Sequence, residues 1–200
     1  MTLPASKLRM QFLEDTHYIK LTRAGDMQAF GTLVQKHQRL VYTLALRMLK
    51  NQEEAEEAAQ DTFVKVYQSL SGFEGKSKFT TWMYRVVYNE CLGRLRKTKR
   101  HFSLVEDIVE NPEEPADFLD GLEILHREER AALVKKGIEM LNPAEAAALT
   151  LFYHEDQSIK EIAAITGSSE SNVKVQLFRG RKHLENNLKK LGNKELIGLL

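Results

Sequence analysis

The stretch Gly72–Arg100, GFEGKSKFTTWMYRVVYNECLGRLRKTKR, decides how the rest of the chain is read. It opens as a glycine-flanked loop, Gly72-Phe73-Glu74-Gly75-Lys76-Ser77-Lys78, continues with helical periodicity and closes on Arg94, Arg96, Lys97, Lys99 and Arg100. Ser77, Thr80 and Thr81 offer N-cap oxygens ahead of the apolar repeat. On a helical wheel Phe79, Met83, Val86 and Val87 share the face to be buried, while Arg85, Asn89 and Arg96 fall on another stripe. Trp82 stands at the border between the two. Guanidinium and carboxamide groups beside an aromatic ring suit nucleic-acid phosphates and bases.

Working outward, the preceding segments repeat the helical period, and strand-like alternation is missing. A first helix is expected over residues 6–23, stopped by Gly25. Asp26 caps a second, with Phe30, Leu33, Val34, His37, Val41, Leu44, Ala45 and Met48 at core spacing. Asn51 interrupts it. A third helix over residues 52–70 directs Ala55, Ala59, Phe63, Val66 and Leu70 inward, with Gly72 as its C-cap. Its other side carries Glu57, Gln60, Asp61, Val64, Lys65 and Gln68, an acidic face with an exposed apolar residue that suits a basic partner. An acidic first turn complements the helix dipole and accounts for Glu53 and Glu54, but Asp61 lies well past that turn.

The chain has 200 residues and a formal net charge of +1, which gives it no general basic coat. The charge is segregated instead. An acidic block from Glu53 to Asp61 precedes the basic run ending at Arg100; residues 106–129 are again acidic and the last third is basic. The single cysteine, Cys91, permits no internal disulfide and fits a reducing, cytoplasmic setting. No apolar run approaches a membrane span, and the six histidines lack ligand spacing, so neither membrane insertion nor a metal or other cofactor is expected.

Residues 101–120 contain Pro112 and Pro115, many acids and little periodicity, and read as a linker with Phe102, Leu104, Ile108 and Phe118 as isolated apolar beads. Helical spacing resumes over residues 119–141. Asn142-Pro143-Ala144-Glu145 then supplies a cap, a first-turn proline and a capping-box glutamate for a helix through Phe152. Ser158-Ile159-Lys160-Glu161 is a second capping box, opening a short helix that ends at Gly167. A long helix follows to about Leu191, with Val173, Leu177, Gly180, Leu184, Leu188 and Leu191 on one face. Small Ala163, the turn at Gly167 and apolar Val173 fit a helix-turn-helix. Its outward face holds Ser171, Asn172, Lys174, Val175, Phe178, Arg179 and Lys182, suited to the major groove, with Ser169 and Ser171 placed for phosphates.

Taken together, these motifs resemble a bacterial RNA polymerase sigma factor of the extracytoplasmic-function (ECF) type. Gly25 to Phe30 and Ala58-Ala59-Gln60-Asp61-Thr62-Phe63-Val64-Lys65-Val66-Tyr67 are similar to the family's second region, and residues 142–188 to its fourth. The resemblance implies an all-α chain of two small helical domains, 1–100 and 121–200, joined by an acidic linker at 101–120. It implies that Glu57, Asp61, Phe63 and Val64 meet core polymerase. It implies that Glu74, Gly75, Lys76, Ser77, Lys78, Trp82, Arg85, Asn89 and Arg96 meet the melted minus-ten element, with a flipped base in the loop and Asn89 beside it. Ser169, Ser171, Asn172, Lys174, Val175, Phe178, Arg179 and Lys182 would meet the minus-35 duplex. An anti-sigma factor is a further partner implied by the family alone.

This chain departs from the common pattern at Lys76, Lys78 and Val175, which leaves the preferred bases open. The competing reading is a two-component-type activator, whose helix-turn-helix looks alike. Such a protein carries an α/β receiver, whereas the first half here is helical in period throughout. A helical enzyme would need converging catalytic groups, and neither a nucleophile–base set nor a phosphate-cradling loop is legible.

Overall fold

The computed structural model describes residues 15–97 and 127–197, and among them every regular element is helical. The chain divides into two compact units, Met1–Arg100 with Ala164–Thr166, and His101–Ala163 with Gly167–Leu200. The expected linker and its apolar beads lie outside the described residues, as do residues 6–14 of the expected first helix.

In the first unit α1 (15–23) is followed by α2 (Met27–Leu49), α3 (Gln52–Ser69), a 3-10 turn (Leu70–Gly72) and α4 (Phe79–Lys97). Asp26 caps α2 by accepting from the Gln28 and Ala29 amides at 2.8 and 3.1 Å. The α2–α3 corner is made by Lys50 in a left-handed conformation and by Asn51, whose side chain accepts from the Glu54 amide at 2.9 Å. α2 packs against α3 and α4, and α3 against α4. Leu33, Val41, Leu44, Met48, Ala55, Ala58, Val66, Met83, Tyr84, Val87 and Cys91 form the core. Each fully buried large aliphatic contributes about 1.5–3 kcal/mol relative to its exposed state.

The inward faces differ in detail from the periodic reading. In α3 Ala58 and Thr62 are buried, whereas Ala59 and Phe63 are only half-buried. Thr62 tolerates burial because its hydroxyl donates to the Ala58 carbonyl at 2.7 Å. In α4 the covered arc is wider than expected and includes Thr81, Tyr84, Tyr88, Cys91 and Leu95, since α2 and α3 both pack on it, while Val86 stays half-buried.

Two caps also differ. The helix begins at Phe79, and the Trp82 amide bonds the Lys78 carbonyl at 3.1 Å. Thr80 and Thr81 thus lie inside α4, and the Ser77 hydroxyl donates to the Lys78 carbonyl. α3 ends at Ser69 and tightens into the 3-10 turn, so Gly72 is not its left-handed cap. The glycine that needs its freedom here is Gly75, at φ +73° in the loop.

In the second unit α5 (Arg127–Glu139) and α6 (Pro143–Leu149) both pack on α8 (Glu170–Ile197). α6 passes into a π-helical turn, Thr150–His154, rather than continuing as α-helix to Phe152. α7 (Ile159–Thr166) has the expected capping box, with the Glu161 amide on Ser158 Oγ at 3.3 Å and the Ser158 amide on Glu161 Oε2 at 2.9 Å. Gly167 closes it at φ +70°.

Asn142 caps α6 through the Glu145 amide at 2.9 Å, but Glu145 does not complete a box. Its buried carboxylate accepts from His183 Nδ1 of α8 instead, at 3.0 Å to each oxygen. The two helices cross closely at Gly180, where a Cβ would stand 3.2 Å from Leu149 and 3.3 Å from Glu145 Cβ. Val173, Leu177 and Gly180 are buried on the expected face of α8, and Leu184, Leu188 and Leu191 are half-buried. The helix runs past Leu191 to Ile197.

Candidate docking and nucleic-acid interfaces

The acidic face of α3 is open to solvent but internally paired. Glu57 and Asp61 side chains are 70% and 54% exposed, Val64 is 54% exposed, and Phe63 is half-buried beside them. Arg94 of α4 reaches across to this face. Its Nη1 donates to Glu57 at 3.0 Å, its Nη2 to Asp61, and its Nε to Glu90 at 2.7 Å. Lys65 closes the set by donating to Glu90.

Burial works to raise the Glu90 pKa, but the bonds from Lys65 and Arg94 outweigh it and hold the carboxyl below its ordinary value. Burial likewise opposes the Arg94 charge and is overcome by the three carboxylates. A carboxylate with a depressed folded pKa stabilises the fold above its unfolded value, and that contribution fades as pH falls through the folded value. The melting temperature of the chain is therefore expected to fall on acidification below about pH 4.5, the ordinary Glu90 value. Glu90→Gln should make that acid slope shallower in a series of pH-titrated melts; an unchanged slope would contradict the network.

The loop before α4 is exposed from Glu74 to Lys78, with Lys76 paired to Glu74 across Gly75. Arg85, Asn89 and Arg96 are exposed along α4. Trp82 is half-buried in an aromatic group, its ring centroid 5.2 Å from Phe73 and 5.9 Å from Phe79. Between α1 and the loop lies a cavity of about 270 Å³, lined by Asp15, Thr16, Ile19, Lys20, Arg23, Phe73, Glu74, Gly75 and Phe79. Of the loop residues expected at the minus-ten site, Glu74 and Gly75 line it, while Lys76, Ser77 and Lys78 do not, and neither does Asn89. The α1 wall was not legible in sequence because its residues lie some fifty positions before the loop. Arg23 ties the two, donating to the Leu70 carbonyl at 3.0 and 2.8 Å and to the Phe73 carbonyl.

At the helix-turn-helix, Ser169 caps α8 by accepting from the Asn172 amide at 3.1 Å. Ser171, Asn172, Lys174 and Lys182 are exposed, while Val175, Phe178 and Arg179 are half-buried. Tyr153 is an exposed aromatic that periodicity did not single out, and it accepts from Arg181 Nη1 at 3.3 Å.

Cys91 is fully buried, and that burial pushes its thiol up to about 12. Among the described residues no cluster of three metal-ligating side chains occurs, and no helix is long and apolar enough to cross a membrane.

Two family models match the chain: Sigma-70 region 2 over residues 33–101 and Sigma-70, region 4 over residues 131–184. RNA polymerase sigma-H factor of Pseudomonas aeruginosa is 30% identical over 188 residues, covering 89% of this chain and 95% of that protein. ECF RNA polymerase sigma factor SigW of Bacillus subtilis is 29% identical over 185 residues, covering 86% and 96%. Among solved structures, CnrH in complex with the cytosolic domain of CnrY is similar in fold at TM-score 0.62 and 21% identity, covering 88% of this chain and 98% of that one. RpoE in complex with the anti-sigma factor NepR from Bartonella quintana has TM-score 0.61 and 22% identity, covering 82% and 98%.

Proposed function

The chain belongs to the sigma-70 family of bacterial RNA polymerase sigma factors, in its ECF branch, and from that premise we propose how its own residues bind polymerase and promoter. The acidic face Glu57–Asp61, with Phe63 and Val64, docks on a basic surface of core polymerase. The loop Glu74–Lys78 and the stripe of Trp82, Arg85, Asn89 and Arg96 hold the melted minus-ten strand. Ser169, Ser171, Asn172, Lys174, Val175, Phe178, Arg179 and Lys182 bind the minus-35 duplex. The single observation that carries this reading is the pairing of the two family regions, in order, with an exposed polar and basic face on α4 and another on α8.

Opening a duplex costs a few kcal/mol for each unstacked base. Capturing an extruded base and the strand beside it stabilises the open form, while polymerase supplies the rest of the binding energy and performs the synthesis. The protein itself contributes selection rather than chemistry and works in the cytoplasm beside the polymerase. Domain limits of 1–100, 101–120 and 121–200 suit this division of labour. The RpoE structure is a complex with an anti-sigma factor, which supports such an inhibitor as a further partner here. The two-component alternative is not favoured: its receiver domain has no counterpart in a first unit whose described elements are all helical.

Two experiments test the reading. Asn89→Ala is expected to slow promoter opening, read by permanganate reactivity of unpaired thymines, more than it weakens closed-complex formation. Equal effects on both steps would remove Asn89 from the melted-strand site. Lys174→Ala and Arg179→Ala should each weaken minus-35 binding and lower the log–log salt slope by about one if each neutralises a phosphate. An unchanged slope would take the side chain off the DNA backbone.

A further inference from the structure

Tyr153 is an exposed aromatic of the second unit that none of the expected contacts absorbs. It is 58% exposed and lies on the π-helical turn between α6 and α7. There the Glu155 amide reaches back five residues to the Thr150 carbonyl at 3.2 Å. Turns of this kind gather at functional sites. The Tyr153 ring packs edge-on against half-buried Phe152, with centroids 4.9 Å apart, which restrains it. Its hydroxyl oxygen accepts from Arg181 Nη1 of α8 at 3.3 Å. That bond leaves the hydroxyl proton and the other guanidinium N–H groups as donors.

Arg181 stands on the reading face of α8. It follows Lys174 by seven residues and Phe178 by three, spacings that keep all three on one stripe. Lys36, Lys65, Lys76, Arg94 and Lys189 each meet a carboxylate. Arg181 differs: among the described residues no carboxylate lies within ion-pair distance of it. Glu155 of the same turn meets His154, and Glu161 closes the α7 capping box. A guanidinium and a phenol that converge without a carboxylate make a donor set for an anion with several acceptor oxygens. Lys174 and Lys182 are exposed on the same helix, so the anion that fits is one of a row, as on a nucleic-acid backbone.

We propose that Tyr153 and Arg181 clamp one DNA phosphate at the edge of the minus-35 element and so fix the register in which α8 enters the major groove. This clamp rests on the sigma-factor reading and deepens it: the duplex is held by two elements, α8 and the π-turn, rather than by α8 alone. Arg181 supplies the charge. Tyr153 supplies direction, since its oxygen holds Arg181 while its hydroxyl donates to the phosphate.

The test uses holoenzyme assembled from the full chain and core polymerase. The probe is a promoter duplex that the wild-type holoenzyme retains from a randomised library, ethylated at its phosphates and bound as the closed complex. The wild type is expected to show a row of phosphates whose ethylation blocks retention. Tyr153→Phe and Arg181→Gln should each strike one and the same phosphate from that row and leave the others. Each should weaken retention by about tenfold, the scale of one hydrogen bond to a charged group. Arg181→Gln should also lower the log–log salt slope by about one, whereas Tyr153→Phe removes no charge and should leave the slope unchanged.

An unchanged interference pattern in both variants, with native helical ellipticity, overturns the clamp while the sigma-factor reading stands. Variants that keep the pattern but assemble poorly with core polymerase overturn it too, because the pair then belongs to a protein contact. Should Arg181→Gln fail to fold, Tyr153→Phe decides, since it keeps the ring against Phe152, and an unaltered pattern overturns the clamp. A wild-type holoenzyme that retains no duplex overturns the sigma-factor reading, and the clamp with it.

Discussion

Val173→Asp is expected to unfold the second unit and abolish minus-35 binding while the first unit stays folded. Val173 is fully buried in the first turn of α8, where its amide bonds the Ser169 carbonyl at 3.0 Å. A carboxylate there has no water, and burying an unpaired charge costs several kcal/mol. Whole domains are stable by only about 5–15 kcal/mol, and small ones sit at the low end. Val173→Ala, which removes volume without adding charge, should cost only about 1–3 kcal/mol and leave binding measurable. Trp82 is the sole tryptophan and lies in the first unit, so its emission reports on that unit alone. The expected pattern is lost helical ellipticity and lost duplex binding with unaltered Trp82 emission. Native ellipticity in Val173→Asp would contradict the assignment of Val173 to the core.

The second large effect is on polymerase. Asp61→Lys is expected to weaken binding to core polymerase by tenfold or more, since close charge pairs across interfaces couple by about 1.5–7 kcal/mol. The substitution also sets a lysine against Arg94, which now donates to Asp61, so part of the loss could be structural. Arg94→Gln separates the two causes. It leaves Glu57 and Asp61 in place and removes their internal counter-ion. If the carboxylates are what polymerase takes, Arg94→Gln should keep or tighten core binding while lowering the melting temperature. Equal losses of core binding in Asp61→Lys and Arg94→Gln would mean that the face matters only for its shape.

Local signals carried most of the fold. Asp26, the Ser158–Glu161 box and Gly167 were readable because each cap depends on residues within four positions of itself. The helix-turn-helix and the stripe of Arg85, Asn89 and Arg96 were readable for the same reason: helical spacing alone sets which residues share a face. What escaped depends on neighbours distant in sequence. Thr62 and Ala58 are buried in place of Phe63 and Ala59 because α3 meets both α2 and α4. Glu145 leaves its capping box for a histidine 38 residues away. Arg94 reads as one cation in a basic run, yet it bridges to carboxylates 33 and 37 residues before it. The i,i+4 spacing of Glu90 and Arg94 was the one hint of that network. The α1 wall of the cavity gave no local signal at all.

Run-off transcription with purified core polymerase on a randomised promoter library tests the central claim most directly. The account predicts transcripts that depend on this chain and start downstream of DNA sharing a minus-35 and a minus-ten element, with yield lost on Asp61→Lys and on Val173→Asp. Transcripts identical with and without the chain, across the whole library, would contradict it.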